Sequence, residues 1–206
     1  MNYFRISVFC KLLAVVVAAT VFNSCEDKPV KSDGLSRTKP SVVINGVKWA
    51  TRNVAAYRTF AENIESPGML YQWNRKATDW IDVSAGGNVW AKTNDPSPDG
   101  WRLPTEKEFG KLLDTKMVRR KFTTINHVDG WQFTDKKTGN AVFFPVAGGR
   151  NIFGEFNSEF FAYWSSQGTS YDSYYGQAYC LYGNYSFVST YEYSRKSAFS
   201  IRCVAE

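Results

Sequence analysis

Histidine is nearly absent: His127 is the only one in 206 residues. A multi-histidine iron or zinc site therefore cannot be assembled from this chain, and a Ser-His-Asp triad would have to use that one residue. No Gly-x-Ser-x-Gly elbow accompanies it, and in "INHVDGW" it reads as a turn or strand-end residue. Cysteine is also scarce, with four in the chain. The Gly-rich "VAGGR" (146–150) lacks the Lys-Ser/Thr of a phosphate loop and reads as a bend. Carboxylate pairs such as Glu155 with Glu159 could serve a glycosidase, but nothing in their surroundings distinguishes them from surface acids. Long runs of one charge are missing too. The net charge of +6 is spread thinly, with short clusters at Arg119-Arg120-Lys121 and Lys136-Lys137. These shortages argue against an enzyme, a metal, a cofactor and a nucleic-acid partner.

What is present begins with an export pattern. Met1 to Lys11 carries Arg5 and Lys11 and no acid, and Leu12 to Phe22 is apolar apart from Thr20. That run is too short for a bilayer span and fits the apolar region of a signal peptide. Ser24 stands directly before Cys25, and Glu26-Asp27 follow. The pattern resembles a lipoprotein signal of Bacteroidetes-type bacteria, in which the cysteine is acylated and becomes the new N-terminus. The resemblance implies a signal peptide over 1–24, Cys25 as the lipid site, and a surface-exposed, outer-membrane location. A plain secretory signal, leaving Cys25 as a stray thiol, is the alternative. Loss of residues 1–24 lowers the net charge from +6 to +4.

Residues 25–41 are polar, with two prolines and one glycine, and read as a flexible tether. From Val42 the pattern becomes strand-like. "VVINGVKWATRNV" is a hairpin around Asn-Gly, "GMLYQWN" is an aromatic strand, and residues 84–100 form a long loop. In "DGWRLPTEKEFGKLL", Pro104 favours an extended Leu103, and Thr105 with Glu108 has the capping-box spacing. Phe109, Leu112 and Leu113 then give a short amphipathic helix. "GWQFTD" and "AVFFPVAGGR" make another hairpin, and a second helix is possible within 55–66. The class predicted is α+β, dominated by antiparallel sheet, over residues 42–206.

Two cysteines remain in the exported chain, Cys180 in "GQAYCLYG" and Cys203 in "AFSIRCV", each mid-strand on an apolar face. An oxidising compartment makes a Cys180–Cys203 disulfide the natural expectation. Eight of the twelve tyrosines fall between Tyr171 and Tyr193.

Taken in order, "INGVKWATRNV", "GMLYQWN", "DGWRLPTEKEFGKLL", "FFPVAGGR", "YWSS" and "SIRCV" resemble the Fibrobacter succinogenes major paralogous domain family over about Val42 to Glu206. The Trp-Arg-Leu-Pro-Thr-Glu joint also looks like that of formylglycine-generating-enzyme domains. The resemblance implies a C-type-lectin-like fold: a twisted antiparallel sheet, one or two helices and long loops. It departs from the family at Ser97-Pro98, where members often carry Cys-Pro; Cys180 is then the partner left for Cys203. The related oxidases hold copper on closely spaced cysteines, and their sulfoxide-synthase cousins use a histidine-based iron site. Here the cysteines lie 23 positions apart. A lectin-type calcium site is not supported either, because Trp73-Asn74-Arg75 lacks the Asp. The function expected is binding of a glycan or a protein, with contact from Tyr174, Tyr175, Tyr185 and Tyr191. A structural subunit of a surface appendage or envelope complex, presenting an exposed edge strand, is the alternative, and an enzyme related to the oxidases is a remoter one.

Overall fold

Asn45 and Gly46 both take positive φ, 45° and 76°, as a two-residue hairpin turn requires. They join β1 (Ser41–Ile44) to β2 (Val47–Ala50) in a computed structural model that describes residues 34–169 and 176–206. The expected signal peptide, Cys25, most of the tether, Tyr174 and Tyr175 lie outside the described residues. β2 continues into β14 (Val204–Ala205), which pairs with β4 (Trp101–Arg102). A meander of β5 (Val118–Ile125), β6 (Val128–Asp135) and β7 (Ala141–Pro145) forms a second sheet. The third is β10 (Phe161–Gly168), β11 (Gln177–Gly183) and β12 (Val188–Ser194). The fourth, of two-residue strands, runs β3 (Tyr71–Gln72), β13 (Ala198–Phe199), β8 (Gly149–Arg150) and β9 (Phe156–Asn157).

The described residues contain one α-helix, α1 (Glu106–Leu113), against fourteen strands. The fold is β-rich, built of four small antiparallel sheets, and this corrects the α+β, lectin-like class expected from the sequence. The second helix proposed in 55–66 is not there. That segment folds as turns, with Val54 bridged to Phe60 and Arg58 at positive φ. It closes around Asn53, whose Nδ2 donates to the carbonyls of Ser66 at 3.3 Å and Pro67 at 2.9 Å. The last part of the expected tether is also attached to the domain. Gly34 carbonyl accepts the Ala141 N–H at 2.8 Å, and Thr51 Oγ1 donates to the Lys39 carbonyl at 2.7 Å.

Strand alternation divides the interior in two. Phe161 and Tyr163 of β10 face a core with Trp49, Phe109, Phe133, Phe144 and Leu181. Ala162 and Trp164 face another with Trp73, Trp90, Cys180, Phe199, Ile201 and Cys203. Truncating one of these large rings would cost about 3–5 kcal/mol. Both cores draw on residues from Val42 onward, so the compact unit Ser32–Glu206 carries its own interior.

Between the cores lies a fully buried guanidinium. Arg202 Nε donates to Asn53 Oδ1 at 2.8 Å and Nη1 to the Ala50 carbonyl at 3.1 Å. Its Cζ lies 4.6 Å from the Phe144 ring centroid. No carboxylate among the described residues pairs with it, and burial lowers its pKa to about 10. Tyr163 Oη donates to the Pro145 carbonyl at 2.8 Å and accepts from Asn53 Nδ2 at 3.2 Å.

Candidate functional site

The joint before α1 spends its polar groups on structure. Thr105 Oγ1 accepts the Glu108 N–H at 3.2 Å, and Glu108 Oε2 accepts the Thr105 N–H at 2.8 Å. Arg102 forks onto the same carboxylate, Nη1 to Oε2 at 2.9 Å and Nη2 to Oε1 at 2.8 Å. Burial pushes the Glu108 pKa up, but the Arg102 pair and the Thr105 hydrogen bonds outweigh it and hold the carboxyl below its usual range. Glu108 is thus tied to its cap, as the capping-box spacing predicts. Beside it opens a cleft of about 580 Å³ whose walls include Arg58, Asp95, Asp99, Trp101, Arg102 and Glu206. Its charges largely cancel: Arg58 pairs with Asp99, Arg102 with Glu108, and Lys92 approaches Glu206 at 3.9 Å.

Cys180 and Cys203 are both buried and both free, so the expected disulfide is not formed. β10 stands between them. Trp164 is opposite Cys180 on one side of β10 and donates its N–H to the Ser200 carbonyl on the other at 3.1 Å. Strands one removed lie about 9.5 Å apart, whereas a disulfide needs Cα atoms within about 7 Å. The Cys203 thiol donates instead to Ser97 Oγ at 3.2 Å. Burial pushes the Cys203 pKa up to about 12 and that of Cys180 up as well. Neither thiol is a nucleophile in the folded state. Among the described residues no group of His, Cys, Asp or Glu is placed to hold a metal ion.

The tyrosine-rich hairpin β11–β12 is different, because its rings pack on the rim of the second core and reach out from it into solvent. Cys180 is opposite Tyr191 and Ala178 opposite Tyr193, which puts both tyrosines on the same face as Tyr182. The Tyr182 ring centroid lies 5.3 Å from Phe160, 5.7 Å from Tyr191, 5.7 Å from Tyr193 and 6.1 Å from Phe187. Phe199 anchors the cluster from below, 5.1 Å from Tyr193 and 6.1 Å from Phe160. Exposure rises outward: Tyr182, Tyr193 and Phe160 are half-buried, Phe187 is 42 % exposed and Tyr191 56 %.

The hydroxyls of Tyr182, Tyr191 and Tyr193 make no hydrogen bond to a described residue. Burial, then the neighbouring Tyr193 phenol, raises the Tyr182 pKa. Flat apolar faces ending in unpaired hydroxyls can stack a sugar ring or an apolar side chain while hydrogen-bonding its polar edge. Glu192 lies on the other side of its strand from these rings.

Of the four tyrosines singled out from sequence, Tyr191 belongs to this cluster. Tyr185, 77 % exposed at the tip of the hairpin, stands apart from the rings. The tip is held by Asn184, whose Oδ1 accepts the Ser186 N–H at 2.8 Å and the Phe187 N–H at 3.3 Å. Tyr174 and Tyr175 are outside the described residues. Sequence reasoning missed Tyr182 as the hub, with Tyr193, Phe160 and Phe187 around it. The signal was the i, i+2 pair Tyr191/Tyr193, which alternation puts on one face.

Comparisons with family models, curated proteins and solved structures return no match to this chain. What can be said of its function therefore comes from its own residues: a β-rich domain whose described residues include a partly exposed aromatic cluster around Tyr182.

Proposed function

We propose that the chain is a lipid-anchored, surface-exposed outer-membrane protein whose domain binds a glycan or protein ligand without catalysis. The ligand sits on Tyr182, Tyr191 and Tyr193, with Phe187 and Tyr185 at the margin. Cys25 carries the lipid, on the strength of the apolar run ending in Ser24-Cys25. The single observation behind the binding role is the ring cluster around Tyr182, half-exposed and with unpaired hydroxyls, in a molecule that has ample buried aromatic packing elsewhere. The likeness to the Fibrobacter succinogenes major paralogous domain agrees with a surface role.

The experiment is a glycan and protein array probed with Ser32–Glu206, followed by Tyr191→Ala on any hit. A folded Tyr191→Ala domain should bind about tenfold more weakly, as a half-exposed ring at the centre of a contact implies. Unchanged affinity would contradict the site.

One observation favours a second reading, a subunit of a surface appendage. β12, "VSTYEYS", is the edge of its sheet and carries neither Lys nor Pro to discourage pairing. Such an edge can accept a donated strand. Recovery of the protein as cross-linked arrays from its native envelope, rather than as single copies, would favour it.

A further inference from the structure

The described residues begin, at Gly34, on a face rich in cations. Two shallow grooves meet there at Arg37 and Gly139. One is lined by Gly34, Arg37, Lys39 and the turn 138–140, the other by Arg37, Arg119, Lys121, Gln132 and Thr134. Neither lining contains an Asp or Glu. Arg37, Lys39, Arg119, Lys121 and Lys137 are all exposed. Lys39, Arg119, Lys121 and Lys137 have no carboxylate partner among the described residues. Lys136 reinforces the charge while its Nζ donates to the Thr115 carbonyl at 2.6 Å.

The nearby acids are turned away or engaged. Asp135 is buried under the turn, with Oδ1 accepting the N–H groups of Lys137 at 2.9 Å and Thr138 at 2.8 Å, and Oδ2 that of Asn45 at 2.8 Å. Asp129 and Glu65 lie where the second groove reaches the tip of the β5–β6 hairpin, engaged by Thr124 at 2.5 Å and Asn126 at 2.8 Å. The four exposed cations Lys39, Arg119, Lys121 and Lys137, without a carboxylate partner among the described residues, suit a surface of phosphate groups.

We propose that this basic face docks on an anionic lipid surface through its phosphate headgroups. Two facts about place select a membrane over a soluble polyanion. Gly34 and Leu35, where the described residues begin, attach to β7 beside the Lys136-Lys137-Thr138 turn. Cys25 and Gly34 are nine positions apart, a reach of at most about 32 Å. The orientation argument rests on the lipid-anchor reading above; the charge argument does not.

Alternation supplies the second fact. Arg120 and Phe122 face the β11–β12 hairpin, where Arg120 Nη1 donates to the Val188 carbonyl at 3.4 Å and Trp131, against Phe122, donates to the Asn184 carbonyl at 2.8 Å. Arg119 and Lys121 therefore point away from the hairpin that carries the tyrosines. A domain lying on its basic face leaves the rings of Tyr182 and Tyr191 directed away from lipid. The face holds few exposed apolar residues, such as Val43, so the contact is electrostatic and peripheral.

The test is co-sedimentation of Ser32–Glu206, which has no acylation site, with two kinds of vesicle. One is phosphatidylcholine alone, and in the other about a third of the lipid is phosphatidylglycerol. Binding should appear with the anionic vesicles alone and fade as salt is raised. Arg119→Gln and Lys121→Gln should each weaken it roughly fivefold, and Arg119→Gln/Lys121→Gln/Lys137→Gln by on the order of a hundredfold. Tyr191→Ala should leave it unchanged, which separates this outcome from success or failure of the aromatic site. Equal sedimentation with both vesicles, or full binding by a folded triple variant, would overturn the proposal. So would polyphosphate binding as tight, per phosphate, as the vesicle surface.

Discussion

Arg202 is the residue on which the two cores depend. Its guanidinium joins the Asn53 loop and the end of β2 to the C-terminal segment, without a counter-charge. Removing the side chain leaves Asn53 Oδ1 and the Ala50 carbonyl without this donor and opens a cavity between the cores. Arg202→Ala should therefore cost about 3–5 kcal/mol in urea unfolding. Arg202→Met should cost less, because filling the same space with an apolar chain also removes the desolvation of a buried charge.

Tyr71 and Tyr163, both pushed up to about 12 by burial, give the alkaline limit. Their pKa is raised in the folded state, so their contribution is complete below about 10, where the unfolded phenols are still protonated. It is lost as pH rises from 10 to 12. Arg202, lowered to about 10, acts in the opposite sense over the same range and offsets part of the loss. Spectrophotometric titration should show two phenols ionising late while stability falls.

Cys203 adds a covalent test at the same scale. Its sulfur lies 3.2 Å from Ser97 Oγ, so Ser97→Cys should cross-link to Cys203 when the variant is refolded in a glutathione redox buffer. The bridge should add about 2–4 kcal/mol of stability. Two free thiols in that variant, counted after denaturation without reductant, would contradict the geometry.

Among the elements, α1 shows what local chemistry can specify. The extended Leu103, the Thr105–Glu108 box and the Phe109/Leu112 stripe were legible because each depends on neighbours within a few residues. Thr105→Ala should cost about 1 kcal/mol and leave vesicle and ligand binding intact. Glu108, held low by Arg102 and Thr105, contributes stability above its unfolded pKa that is lost as pH falls through its folded value. Glu108→Gln should flatten the acid limb of the stability–pH curve.

The Asn45-Gly46 hairpin was legible for the same reason, and the Cys180–Cys203 pairing was not. It failed on one long-range fact, the placement of β10 between β11 and the 198–203 segment, which no local pattern encodes. The second helix failed likewise, because the carbonyls of Ser66 and Pro67 are taken by Asn53, itself fixed by Arg202 from the far end of the chain. Exposure of Tyr191 could be guessed from composition, but the hub position of Tyr182 needed the register of β11 on β12.

At the scale of the whole domain, alternation in two hairpins turns cations one way and rings another. Arg119 and Lys121 lie on the outer face of β5, while Tyr182, Tyr191 and Tyr193 lie at the exposed rim of the core-facing side of the β11–β12 hairpin. A domain so divided is suited to rest on a membrane by one surface and take a ligand on the other. The ligand surface decides the matter. Equilibrium binding of the array-identified ligand should be measured with Ser32–Glu206 and with Tyr182→Ala/Tyr191→Ala/Tyr193→Ala, each checked for its folded circular dichroism spectrum. Loss of the three rings should weaken binding by about a hundredfold or more. Affinity within about twofold of the unaltered domain, in a variant that stays folded, would contradict the aromatic site.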